Sequence, residues 1–156
     1  MEPPRTVLDT NVIISGVINR LGLPRRLLTA WRSGELTLVT SSEIIAEVER
    51  VLHKPRIQRR HALTEELIRS VVEELRSGAD LVAPLAALPI QSRDPNDDMF
   101  LAVALGSAVE YVVTGDDDLL SLKGAAELGE LQIVTPREFL DLLTGSDDAV
   151  PEAPSE

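Results

Sequence analysis

The chain contains no cysteine. That absence excludes a disulfide framework, a thiolate zinc site, an iron-sulfur cluster and a cysteine nucleophile. Histidine is nearly as scarce, with only His53 and His61 available as imidazole ligands or bases, and both flank a basic stretch that reads as a solvated surface. Aromatic residues make up 3% of the chain, too few to build a platform on which nucleic-acid bases stack. No apolar run approaches the ~18 residues that a membrane span needs. The opening residues, MEPPRTVLDTNV, also lack an apolar stretch of signal-peptide length. These absences predict a cytoplasmic protein with no membrane partner.

What is present is acidic and sufficient for one core. The 156 residues suit one domain of ordinary size, and 44% of them are hydrophobic. The formal charge of −11 argues against a protein that holds nucleic acid by bulk charge alone. The excess is unevenly placed, however. Residues 1 to 60 carry ten basic and six acidic side chains, whereas residues 61 to 156 carry five and twenty. Part of the acidity lies in the end of the chain, residues 145 to 156, where Asp147, Asp148, Glu152 and Glu156 sit among prolines. Such a composition predicts a disordered tail following a single domain over residues 1 to 144.

Hydrophobic patterning predicts alternating strands and helices. Thr6-Val7-Leu8, residues 36 to 39, residues 81 to 83, Tyr111-Val112-Val113 and Gln132-Ile133-Val134 are short runs of β character. Between them, helices are expected over residues 24 to 33, from Ser41 or Ser42 to about Lys54-Pro55, and over 64 to 77, 98 to 107, 117 to 122 and 136 to 143. The run Met99-Phe100-Leu101-Ala102-Val103-Ala104-Leu105 is apolar all round, so its helix should be largely buried. Residues 84 to 96 read as a loop. This alternation predicts an α/β fold with a mainly parallel five-stranded sheet covered on both faces.

In such a fold the reactive crevice lies beyond the carboxyl ends of the strands. Asp9 follows the first strand and Asp116 the fourth, while Asp97 and Asp98 begin the buried helix. Either of the latter could simply cap that helix, and Asp117 and Asp118 could do the same for the next. Glu47 and Glu49 flank the apolar stripe of their helix equally well, so helix geometry alone does not choose between them. Carboxylates gathered at ~4 Å repel by ~1 kcal/mol even in water, so a cluster demands a proton or a cation. All-oxygen ligands select hard metals such as Mg2+ or Mn2+, which can activate water for attack on a phosphodiester without any His or Cys. Asp94-x-Asn96-x-Asp98 is not a calcium loop, because Met99 stands where glycine is required and Leu105 where glutamate is required.

Four segments carry a further signal in their order: Val7-Leu8-Asp9-Thr10-Asn11-Val12, Ser42-Glu43-Ile44-Ile45-Ala46-Glu47, Asp94-Pro95-Asn96-Asp97-Asp98-Met99-Phe100-Leu101-Ala102 and Val113-Thr114-Gly115-Asp116-Asp117-Asp118-Leu119-Leu120. Over about residues 5 to 143 the chain resembles the PIN-domain family, in particular its toxin-antitoxin members related to VapC. The resemblance implies a three-layer α/β/α PIN-like fold and a Mg2+ or Mn2+ dependent ribonuclease. It assigns Asp9, Glu47, Asp98 and Asp116 as the catalytic acids and Asp9, Asp98, Asp116 and Asp118 as metal ligands. Asn11 and Thr114 would support them. The acid doublets leave Asp97 against Asp98, and Asp116 against Asp117, open. An RNA substrate, an antitoxin partner and a homodimer are also implied.

An acidic pocket that takes RNA needs positive charge nearby. Arg20, Arg25 and Arg26 follow the first segment, and Arg50, Lys54, Arg56, Arg59 and Arg60 follow the second. Of these, Arg20, Arg25, Arg26, Arg56, Arg59 and Arg60 are the expected phosphate contacts, although a solvated face would have the same composition. Two rival catalytic readings fit less well. A phosphate-accepting receiver domain wants a lysine after its fifth strand, where Thr135-Pro136 stands, and an Asp-nucleophile phosphatase wants an acid at position 11. A catalytically silent module that binds RNA or a partner keeps the fold and loses the chemistry.

Overall fold

The structure, a computed structural model, describes residues 2–145. Its elements in chain order are β1 (Arg5–Leu8), α1 (Thr10–Ile18), α2 (Leu23–Arg32), β2 (Thr37–Thr40), α3 (Ser42–Leu52), α4 (Pro55–Arg60), α5 (Glu65–Gly78), β3 (Asp80–Leu81), α6 (Asp98–Leu105), β4 (Tyr111–Val113), α7 (Asp117–Leu120), β5 (Gln132–Val134) and α8 (Pro136–Gly145). The predicted acidic tail lies outside the described residues except for Gly145, which ends α8.

The five strands form one sheet in the order β3-β2-β1-β4-β5, and every pair is parallel. Successive residues along a strand face opposite sides, and the sequence supplies apolar groups for both. Leu8, Leu38, Val113 and Val134 enter one core with α1, α2, α5 and α8, whereas Val7, Val39, Val112 and Ile133 enter a second core with α6 and Leu119. The sheet is therefore sandwiched between helices, as the alternation predicts. The run Phe100 to Ala104 is buried throughout, which explains why α6 is apolar on all sides.

Several helix starts are specified locally. Ser41, not Ser42, caps α3, its Oγ accepting from the N–H of Ile44 at 3.2 Å, and Thr64 caps α5 through the N–H of Leu67 at 3.0 Å. Between these helices lies α4, which the hydrophobic pattern does not announce. None of its residues is buried, and its start at Pro55 uses proline as a first helical residue where the sequence suggested a stop. The segment from Pro95 to Asp97 forms a single 3-10 turn before α6.

The packing of α1 on α2 requires a glycine. A Cβ on Gly16 would lie 2.7 Å from Leu28 Cδ1 and 2.9 Å from the Pro24 carbonyl oxygen. Gly16→Ala is expected to destabilise the protein by about 1–3 kcal/mol through overpacking. Urea denaturation checks this, and an unchanged midpoint would show that the two helices separate freely.

Candidate metal centre

The strand order reverses at β1. The chain steps outward from β1 to β2 and β3, then returns to place β4 on the other side. A crevice opens where the connections diverge, beyond the carboxyl ends of the strands. Asp9 and Asp116 follow β1 and β4, the two strands that flank this point.

Asp9 is 3% exposed and fully engaged. Its Oδ1 accepts from the N–H of Val12 at 2.8 Å, capping α1, while its Oδ2 accepts a hydrogen bond from the Thr114 hydroxyl. Thr114, itself buried, accepts in turn from the N–H of Asp116 at 2.9 Å. One oxygen of Asp116 caps α7 through the N–H of Leu119 at 3.1 Å. The threonine thus ties the two acids to each other as well as to the sheet. The backbone N–H of Asn11 also bears on Asp9, and its side chain is exposed at the rim. Burial pushes the Asp9 carboxyl up; the bonds from Thr114 and Val12 oppose that shift, and the charge of Asp116 adds to it.

The third member of the cluster is Asp97, where the family resemblance had selected Asp98. Asp97 lies beside Asp116, close enough for the two carboxyls to share a proton, and feels the charges of Asp116, Asp94 and Asp9. Burial, then that sharing, then those charges push its carboxyl from 3.8 up to about 7. Asp98 turns away, and its Oδ1 accepts from the N–H of Ser92 at 2.8 Å. The reason is local. The 3-10 turn directs Asp97 toward the crevice, and Asp98, one residue on, is rotated onto the preceding loop.

Asp118 lies beside the cluster. One carboxylate oxygen each from Asp94, Asp97 and Asp118 fall within 4.8 Å of one another, and Arg93 Nε pairs with Asp118 Oδ1 at 3.0 Å. Asp94, not anticipated from the sequence, is held by an Asx turn in which its Oδ1 accepts from the N–H of Asn96 at 3.0 Å. The Asp-Pro-Asn spelling of a turn was the signal that could have found it. Glu47 opens on the same cleft as Asp9, Thr10 and Asn11, a cavity of about 400 Å³. There it is gripped by Arg50, whose Nε and Nη2 donate at 3.1 and 2.8 Å.

The donor set fits a hard divalent cation. It is all oxygen, it gathers carboxylates from three separate loops, and burial together with the neighbouring acids pushes the Asp97 carboxyl up to about 7. The hydroxyl of Thr10, buried without a hydrogen-bond partner among the described residues, lies in the wall of the same cleft.

The candidate phosphate contacts divide. Arg25 is committed to the fold, because its guanidinium donates to the carbonyls of Gly16 and Val17 at the end of α1. Arg20 and Arg26 are exposed, and so are Arg56, Arg59 and Arg60 on α4.

This arrangement of a parallel sheet, a strand-end aspartate and a second acid on the neighbouring strand agrees with comparisons to known proteins. Residues 5–118 match the PIN domain family, and the chain belongs to it. An uncharacterized protein of Methanocaldococcus jannaschii is 29% identical over 142 residues, covering 88% of this chain and 90% of that one. The fold is similar to a chain in the crystal structure of VapBC2 from Rickettsia felis bound to a DNA fragment from the promoter. The TM-score is 0.52 at 13% identity, over 84% of this chain and 98% of that one. No helix among the described residues is long and apolar enough to cross a membrane.

Proposed function

We propose that this protein is a Mg2+ or Mn2+ dependent endoribonuclease, the toxin of a toxin-antitoxin pair. The observation that carries the reading is the gathering of acids beyond β1 and β4: the Thr114 hydroxyl joins Asp9 to Asp116, and Asp97, beside Asp116, has a carboxylate oxygen within 4.8 Å of those of Asp94 and Asp118. PIN-domain membership and the likeness to the VapBC2 assembly support it.

In this reading Asp9, Asp97 and Asp116 hold the ion, and Asp97 takes the role expected of Asp98. Asp94 and Asp118, each with a carboxylate oxygen within 4.8 Å of that of Asp97, would be available to a second ion. A cation held there would supply Lewis acidity, lowering the pKa of a water and offsetting charge on the phosphodiester. Thr114 and the Val12 N–H fix the Asp9 carboxylate in one orientation, so it would meet an ion without reorganisation. Glu47, which lines the same cleft as Asp9, would orient the attacking water by accepting its hydrogen bond.

Incubation of a mixed RNA pool with the protein in Mg2+, Mn2+ or EDTA tests the proposal. Cleavage in either metal and none in EDTA is the expected result; undiminished cleavage in EDTA would refute the metal requirement. Phosphate contacts come from the exposed arginines of α4. Replacing Arg56, Arg59 and Arg60 by Ala together is expected to weaken RNA binding and flatten its logarithmic salt dependence by about 2. An unchanged slope would return these arginines to a solvated face. The antitoxin partner and the homodimer remain part of the proposal, and light scattering on the purified chain reads the latter.

A further inference from the structure

Beside the metal cleft lies a second cavity, of about 500 Å³, between the start of α3, the loop that follows β3, and α6. Met99 forms a wall of both cavities. The second has an apolar lining from Leu85, Leu88 and Met99, and its polar side chains are Glu43, Asp98, Gln91 and Ser41, the last already capping α3. Consecutive aspartates thus serve two neighbouring spaces, Asp97 the cluster and Asp98 this cavity. One Asp98 oxygen holds the Ser92 N–H, and no described hydrogen bond reaches the other.

We propose that this cavity is the base-recognition subsite of the nuclease and that it takes a guanine next to the scissile phosphate. The inference rests on the ribonuclease reading and deepens it. Sequence-specific RNA recognition works on unstacked single-stranded bases, read along their edges inside pockets. The apolar lining accommodates the face of a base. Ionised carboxylates accept hydrogen bonds and cannot donate. A base edge facing Glu43 and Asp98 must therefore present donors. Guanine offers adjacent donors, the N1–H and the 2-amino group, with O6 beside them for the Gln91 amide. Adenine and cytosine each place an acceptor next to their amino group, and uracil flanks its single N–H with two carbonyls, so all three set acceptors against carboxylates. The shared Met99 wall lets one nucleotide put its base here and its phosphate in the metal cleft. Leu85 also ties the loop to α6, its N–H donating to the Ala102 carbonyl at 3.0 Å.

The test uses the full chain with its methionine methyl groups carbon-labelled, in EDTA, so that binding is read apart from cleavage. Met99 is one of two methionines, and Met1 lies far from the cavity in sequence. Guanosine monophosphate is expected to shift the Met99 signal at concentrations at least tenfold below those needed for the adenosine, cytidine and uridine monophosphates. Glu43→Gln with Asp98→Asn should erase that preference, and Ala87→Trp, which fills the cavity from an exposed loop position, should erase the shift while leaving the fold intact by circular dichroism. Equal shifts for all four nucleotides, or none, would overturn the subsite. Mapping of cut positions in the mixed RNA pool separates the two proposals. Metal-dependent cleavage without guanine beside the cut overturns the subsite alone, and a guanosine-selective shift without any cleavage overturns the ribonuclease reading alone.

Discussion

Asp9→Asn is expected to reduce RNA cleavage by about a thousandfold, equivalent to ~4 kcal/mol of transition-state stabilisation, without unfolding the protein. The substitution is nearly isosteric. The side-chain oxygen can still accept from the N–H of Val12, so the cap on α1 survives. What changes is charge, and in the metal-free protein that charge is a liability. Burial and the neighbouring Asp116 already push the Asp9 carboxyl up, so removing it relieves repulsion. A thermal melt of the metal-free variant should therefore lie at or above that of wild type near neutral pH. Asp9→Ala separates the two contributions, since it loses the cap as well and should cost about 0.5–2 kcal/mol. If Asp9→Asn cleaved RNA at the wild-type rate, the acid would be a helix cap and nothing more.

The second large effect couples pH, metal and stability. The folded-state pKa of Asp97 is raised from 3.8 to about 7, so between those values the folded protein binds more protons than the unfolded chain. Stability from this group is fully present below pH 3.8 and is lost as pH rises through about 7. Asp9 acts in the same direction. The lowered carboxyls of Glu65 and Glu138, held by His53 and Lys123, act oppositely, but below their ordinary 4.5. His53, raised by its bond to Glu65, also loses its contribution as pH rises. Comparison with Asp97→Asn isolates the cluster from the histidine. The melting temperature of the metal-free wild type should fall as pH rises across the interval, and that of Asp97→Asn should fall less. In the proposed function a divalent ion would replace the proton. Mn2+ at a hundred times its dissociation constant contributes about 2.7 kcal/mol, or about 5–10 °C in a chain of this size, near neutral pH. The gain should shrink toward pH 5, as protons compete for the same oxygens. Equal gains at both pH values would place the ion away from these acids.

The parts of this arrangement that were legible in the sequence are those written locally. Strand triplets such as Tyr111-Val112-Val113 and the serine cap of α3 declare themselves by β propensity and by hydroxyl position, whereas the strand order, with its reversal at β1, is set by long-range pairing. The place of Asp9, directly after a buried strand, was legible, and the structure shows it capping α1 there. The choice between Asp97 and Asp98 was not, since it depends on a single 3-10 turn that sets the phase of α6 and on a loop amide at Ser92 that captures one of the two carboxylates. Arg25 looked as free as Arg26 because nothing nearby in sequence shows that the end of α1 returns to meet it. Helix α4 was hidden because it has no apolar stripe, and its proline was read as an end.

The most direct test of the acidic cluster as the reactive centre is RNA cleavage in Mn2+ by Asp97→Asn and Asp98→Asn, measured side by side against wild type. Asp97→Asn is expected to be inactive, and Asp98→Asn to go on cutting the pool with an altered choice of positions. An active Asp97→Asn beside an inactive Asp98→Asn would contradict it.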